Sequence, residues 1–157
     1  MKFKFVFFGQ SVLKYEVPLD IYISINKIYE KNFHKLKPAN KQLVGKIKNE
    51  HSLFYNGEDQ TKMQTHTLLP LSILNWFEKC YRHYLDWNKI NPYQIHLNSI
   101  WVNEMKEHEP RVAIGDFYIF PYDMRHCVYP FNGPGYRRTL AANCDVDYNP
   151  ITNRAAN

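Results

Sequence analysis

The sequence has no long hydrophobic run and little cysteine. None of its apolar stretches approaches the roughly 18 residues that a membrane-spanning helix needs, and the start of the chain is apolar only over residues 5–8, too short for a secretory signal. The three cysteines, Cys80, Cys127 and Cys144, form no Cys-x-x-Cys pair, and their odd number argues against a disulfide framework. These absences predict a reduced, cytoplasmic location and no membrane partner.

Positive charge is in excess, but it is not concentrated. The formal net charge is +5, yet the lysines are spread along the chain without a run of five or more. A dispersed excess is typical of a solvated basic surface, and without an arginine-rich patch it argues against nucleic acid as a partner. The length of 157 residues predicts a single domain.

Hydrophobic periodicity predicts helices in the first half of the chain and strands in the second. Residues 2–8 alternate as an edge strand does, and apolar residues at helical spacing predict helices over 20–36, around 43–47, and from Pro70 to about Leu85. From Tyr93 the pattern changes to strands, with Ile95, Leu97, Ser99 and Trp101 expected on one face. Helices packed on one side of an antiparallel sheet give an α+β fold.

The segment from Gly115 to Asp145 carries the most specific pattern. It predicts strands at 117–120, 126–129 and 136–144, with a turn at 132–135. Alternation on the last strand places Arg137, Thr139 and Ala141 on one face. A planar guanidinium, a hydroxyl and a small side chain in that order predict a carboxylate-binding pocket.

A strand that ends at Pro121, then His126 after four intervening residues, a turn, and Arg137-x-Thr139 resemble in this order the C-terminal half of the Fe(II)- and 2-oxoglutarate-dependent oxygenases. The lead-in Gly115-Asp116-x-x-x-Phe120-Pro121 resembles especially their viral and bacterial branch, and Trp101-Val102-Asn103 upstream resembles the family's Trp-x-Asn. The resemblance covers about residues 99–147. It implies a double-stranded β-helix (jelly-roll) core with supporting N-terminal helices, Fe(II) as the metal and 2-oxoglutarate as the cosubstrate. It further implies that His126 binds the metal, that Arg137 binds the far carboxylate of 2-oxoglutarate and that Thr139 supplies the adjoining hydroxyl.

The roles of the remaining residues stay open. Trp101 and Asn103 resemble the family's Trp-x-Asn and are candidate cavity residues, although a hydrogen bond at the strand end would equally explain Asn103. His126 could instead be a core histidine. Arg137 could instead pair with an acidic side chain such as Asp145 or Asp123, and Arg138 replaces it as the candidate if the register differs by one.

One feature of the family is missing. No His-x-Asp or His-x-Glu, the family's first metal motif, occurs in the 157 residues. Either a segment is missing between Glu109 and Pro110 or the chain is a shortened relative; the first is favoured because a jelly-roll without its central strands would leave open sheet edges. His108-Glu109 is a weak replacement, since Pro110 stands where a carboxylate is needed.

The resulting prediction is a single domain with three parts: an N-terminal strand and supporting helices (1–92), a partial jelly-roll core (93–148) and a tail (149–157). Its predicted function is a hydroxylase that couples 2-oxoglutarate decarboxylation to C–H oxidation of a protein side chain or small molecule. The alternatives are a non-catalytic jelly-roll binding module and a small basic nucleic-acid-binding protein.

Overall fold

Two helices and an antiparallel sheet organise the part of the chain that the structure describes. The computed structural model describes residues 11–36, 50–54, 66–105, 110–111, 115–121, 123–124, 129–130 and 137–148. Its elements, in chain order, are β1 (Leu13–Glu16), α1 (Leu19–Asn32) with a 3-10 turn (Phe33–Lys35), β2 (Glu50–Ser52), α2 (Leu71–Trp87), β3 (Pro92–Met105), β4 (Pro110–Arg111), β5 (Asp116–Ile119), β6 (Tyr129–Pro130) and β7 (Arg137–Tyr148). This mixture of helices and antiparallel strands confirms the predicted α+β class.

Both helices begin directly after a proline. Pro18 and Pro70 have extended backbone conformations and occupy the N-cap positions, where proline's missing N–H costs no intrahelical hydrogen bond. In α1, Asp20 lies in the first turn and Lys31 lies in the last turn. Both charges therefore complement the helix dipole. Neither described helix is long and apolar enough to cross a membrane.

The largest sheet has the strand order β2-β3-β7, and all its pairs are antiparallel. The long pair β3–β7 runs from Pro92 opposite Tyr148 to Met105 opposite Arg137, with register shifts between Pro92 and Gln94 and between Leu97 and Ser99. The second shift is a β-bulge that adds one residue to β3. The simple alternation expected from Ile95 to Trp101 is therefore wrong: Leu97 packs with the helices in the same core as Ile100.

Two hydrophobic clusters join the helices to the strands. The first contains Tyr29 of α1, Ile73 of α2 and Ile100 and Val102 of β3, together with Leu53 and Leu69. The second contains Cys80, Tyr84 and Leu85 of α2 with Ile119 of β5, and the pair β1–β5 packs against it. Because α2 contributes to both clusters, it connects the large sheet to the small one.

Several predicted features lie outside the described residues. These are the strand at 2–8, the helix around 43–47, His108-Glu109, most of the strand at 126–129, including His126, and the tail at 149–157. The end of the predicted 126–129 strand does appear in β6, where Tyr129 pairs with Arg111 and Pro130 with Pro110.

Candidate functional site

The strands that carry the two sequence motifs are direct neighbours. In the register of β3 and β7, Asn103 lies opposite Thr139 and Trp101 lies opposite Ala141. Residues directly opposite each other in an antiparallel pair have Cβ atoms roughly 4.5–5.5 Å apart. The pairing therefore brings together two motifs that are far apart in the chain.

These four residues share the sheet face that points away from the helices. Ile100 and Val102 belong to the core beneath α1 and α2, and Glu104 is joined to α1 through Arg138. Since successive side chains of a strand alternate between faces, Trp101 and Asn103 belong to the other face. We call the face formed by Trp101, Asn103, Thr139 and Ala141 the outer face.

Two polar atoms of the outer face are buried without a partner. Asn103 is only 9% exposed, and within the described part of the chain neither its Oδ1 atom nor the indole Nε1 of Trp101 has a hydrogen-bond partner. A buried polar atom left without a hydrogen bond costs about 1–3 kcal/mol. Such atoms are uncommon in folded proteins, so a pair of them two residues apart calls for a specific explanation.

The side chain of Arg138 makes its contacts on the opposite, helix-facing side of the sheet. Its Nε donates to Oε2 of Glu104 at 2.8 Å and its Nη1 donates to Oε1 of Glu30 at 2.7 Å, while the guanidinium carbon lies 4.9 Å from the centroid of the Tyr29 ring. Burial acts to lower the pKa of Arg138, but the hydrogen bonds to Glu30 and Glu104 outweigh it, and the pKa is raised. Two carboxylates of the protein therefore already use this guanidinium.

Arg137 is the arginine that strand alternation places on the same face of β7 as Thr139. The backbone of Arg137 lies opposite Met105, and alternation predicts that Arg137 and Thr139 share a face; the side chain of Arg137 lies outside the described residues. The alternative ion pair between Arg137 and Asp145 is wrong. Both residues belong to the same extended strand, eight positions and roughly 26 Å apart at 3.3 Å per residue, and Asp145 accepts a hydrogen bond from Nδ2 of Asn98.

A second group of polar residues lies on the helix-facing side, and the sequence pattern did not predict it. Tyr29, Glu30, Phe33, Glu104 and Arg138 line a cavity of about 240 Å³. Burial, aided by Glu104, raises the pKa of Tyr29 to about 12. The sequence did not predict this cavity because Arg138 pairs with Glu30, which is 108 residues away in the chain. Local sequence patterns do not reveal contacts between such distant residues.

Three described histidines contact side chains of other elements of the fold. The Tyr29 hydroxyl lies 3.2 Å from Nδ1 of His51, and burial lowers the pKa of that imidazole. His83 contacts the Tyr15 hydroxyl at 2.9 Å, and His96 contacts Asp147 at 2.8 Å. Across the described ranges, no three His, Cys, Asp or Glu side chains are grouped so that they could hold a metal ion.

In comparisons with family models, with curated proteins and with solved structures, no match to this chain was found.

Proposed function

We propose that this protein is an Fe(II)- and 2-oxoglutarate-dependent oxygenase, and that it acts as a hydroxylase. The observation that carries the proposal is the pairing of the Trp101–Asn103 segment with the Thr139–Ala141 segment on one face of an antiparallel sheet. The two motifs were recognised separately in the sequence, and no local sequence pattern required their strands to be neighbours in the sheet. A shared cavity requires that arrangement.

The connection between the two strands supports a jelly-roll core. β3 and β7 are adjacent and antiparallel although residues 106–136 separate them. A Greek key has this property, because one of its strands returns by a long connection to lie beside the first, and a jelly-roll contains two Greek keys. The helices on one side of the sheet agree with the expected supporting layer.

The described residues bear on the proposed cosubstrate site through Thr139 and the backbone position of Arg137, whereas His126 lies outside them. On the outer face, the Thr139 hydroxyl and the position of Arg137 suit a carboxylate, which accepts hydrogen bonds from both residue types. His126 would contribute an imidazole to Fe(II), which with 2-oxoglutarate and O2 supplies the oxidation of a C–H bond. In that arrangement Arg137 would bind and orient the far carboxylate.

A non-catalytic binding module is the second candidate. The observation that favours it is the absence of any His-x-Asp or His-x-Glu in the sequence, because one histidine alone holds Fe(II) weakly. Such a module would use the same outer face to bind a ligand. The two candidates differ in whether binding of 2-oxoglutarate depends on the metal and leads to turnover.

The test is an anaerobic titration of the purified protein with Fe(II) and 2-oxoglutarate, followed through the weak visible charge-transfer band of the complex. Charge-assisted hydrogen bonds contribute about 1.5–3 kcal/mol, so Arg137→Ala should weaken 2-oxoglutarate binding roughly 10- to 150-fold and leave Fe(II) binding nearly unchanged. Arg137→Lys, which keeps the charge but not the planar pair of donors, should fall between.

The two functions predict different results in this titration. A band that needs both components, followed by succinate formation when O2 is admitted, supports the oxygenase. Binding of 2-oxoglutarate without Fe(II) and without turnover supports the module. Equal losses of Fe(II) and 2-oxoglutarate affinity in Arg137→Ala would contradict the role assigned to this arginine.

A further inference from the structure

We propose that Trp101 and Asn103 together form a binding site for an amide group of the ligand. Both side chains present a buried polar atom that has no partner among the described residues, namely the indole Nε1 and the amide Oδ1. The first is only a donor and the second is only an acceptor. A ligand that completes both hydrogen bonds must therefore offer one acceptor and one donor.

The chemistry of the pair excludes the commonest charged groups. A carboxylate only accepts hydrogen bonds, so it would leave Oδ1 of Asn103 unsatisfied, and an ammonium only donates, so it would leave Nε1 of Trp101 unsatisfied. An amide satisfies both, because its carbonyl accepts from the indole and its N–H donates to Asn103. The pair is thus suited to a different group from the dicarboxylate assigned to Arg137 and Thr139.

The geometry favours two separate ligand atoms over a single hydroxyl. Trp101 and Asn103 are two residues apart on β3, which places their Cα atoms roughly 6.6 Å apart. An amide carries its acceptor and donor on different atoms and can span such a pair more readily than one oxygen. Opposite Trp101, β7 carries Ala141, a residue with a small side chain.

The amide site also has a defined relation to the proposed cosubstrate. Asn103 lies opposite Thr139 across the strand pair, so an amide bound to Asn103 would lie beside the dicarboxylate on the neighbouring strand. Calling this amide part of the substrate rests on the proposed function. The amide site itself rests only on the two unpartnered atoms.

The first measurement follows the indole N–H signals of the three tryptophans by NMR, with Trp101→Phe identifying the signal of Trp101. N-methylacetamide should shift that signal saturably, while methyl acetate, which keeps the carbonyl but lacks the N–H, should bind about tenfold more weakly. Asn103→Leu should weaken N-methylacetamide binding to a similar extent. A diamide such as acetyl-alanine methylamide distinguishes a peptide source, which should bind more tightly, from a small free amide, which should not.

The second measurement is the stability of Asn103→Leu. Replacing an unpartnered buried oxygen with an apolar group of similar size should leave the unfolding midpoint unchanged or raise it. A clear drop in the midpoint would mean that Oδ1 has a partner within the protein, and this would overturn the proposal. The absence of a saturable shift with N-methylacetamide would overturn it as well.

A competition experiment separates this site from the proposed function. If 2-oxoglutarate displaces N-methylacetamide competitively, the pair belongs to the cosubstrate site and the amide assignment is wrong. If N-methylacetamide binds as expected while 2-oxoglutarate fails to bind, the amide site stands and the oxygenase assignment falls.

Discussion

Replacing Arg138 with methionine should destabilise the protein because it leaves a nearly buried carboxylate without its cation. The side chain of Glu104 is 15% exposed and that of Arg138 is 30% exposed, whereas Glu30 is 60% exposed. Removing one partner of a fully buried ion pair costs about 3–5 kcal/mol, and an exposed pair contributes roughly 0–1 kcal/mol. The ion pair of Glu104 with Arg138 is closer to a buried pair than to an exposed one, so Arg138→Met is expected to lower the free energy of unfolding by about 2 kcal/mol.

Urea unfolding followed by circular dichroism measures this loss, and two further variants serve as controls. Glu30→Gln removes only the exposed partner and should cost less than about 1 kcal/mol. Adding Glu104→Gln to Arg138→Met replaces the unpaired carboxylate with a neutral amide, and the double variant should recover about 1 kcal/mol relative to Arg138→Met alone.

The same series distinguishes a structural arginine from a binding one. Because the guanidinium of Arg138 is used by Glu30 and Glu104, Arg138→Met should leave the affinity for 2-oxoglutarate unchanged. If Arg138→Met is no more destabilising than Glu30→Gln, the assigned partners are wrong. If Arg138→Met abolishes 2-oxoglutarate binding while the protein stays folded, then Arg138 and not Arg137 is the arginine that binds the cosubstrate.

Two other predictions concern single side chains. His126→Ala should abolish Fe(II)-dependent succinate formation while the circular dichroism spectrum stays unchanged; unaltered turnover would remove His126 from the proposed site. Burial raises the pKa of the Cys144 thiol from 9.0 to about 11, so above pH 9 the unfolded chain loses this proton before the folded protein does. Stability should therefore fall as the pH rises from about 9 to 11, and a Cys144→Ala variant whose stability falls as steeply as the wild type's over that range would refute this explanation.

Helix α2 and the long strand β3 were predictable because they depend on neighbouring residues. Pro70 and the apolar spacing from Ile73 to Leu85 predicted α2, and the structure has it at Leu71–Trp87. The strand predicted from Tyr93 is β3, Pro92–Met105. A side chain repeats its direction after about 3.6 residues in a helix and after two in a strand, so the pattern alone identifies the element.

The bulge near Asn98 could not be predicted in the same way. Its presence is defined by the pairing of Leu97 with Cys144 and of Ser99 with Asn143 on another strand. A one-residue shift moves every following side chain to the other face. The faces assigned to Ile95 and Leu97 therefore depended on a partner that the local pattern does not contain.

The sequence by itself determined where α1, α2, β3, β5 and β7 form, since the type of these elements follows from side-chain type and local spacing. From side-chain chemistry it also predicts a carboxylate-binding role for Arg137 and Thr139. Only the tertiary structure decided that Asn103 lies opposite Thr139, that Arg138 is held by Glu30 and Glu104, and that two polar atoms of the outer face are buried without partners. The physical reason is that strand register, ion pairing and burial depend on contacts between residues that are distant in the chain. Local spacing does not specify these contacts, and they are distinguished from competing arrangements only when the whole fold forms.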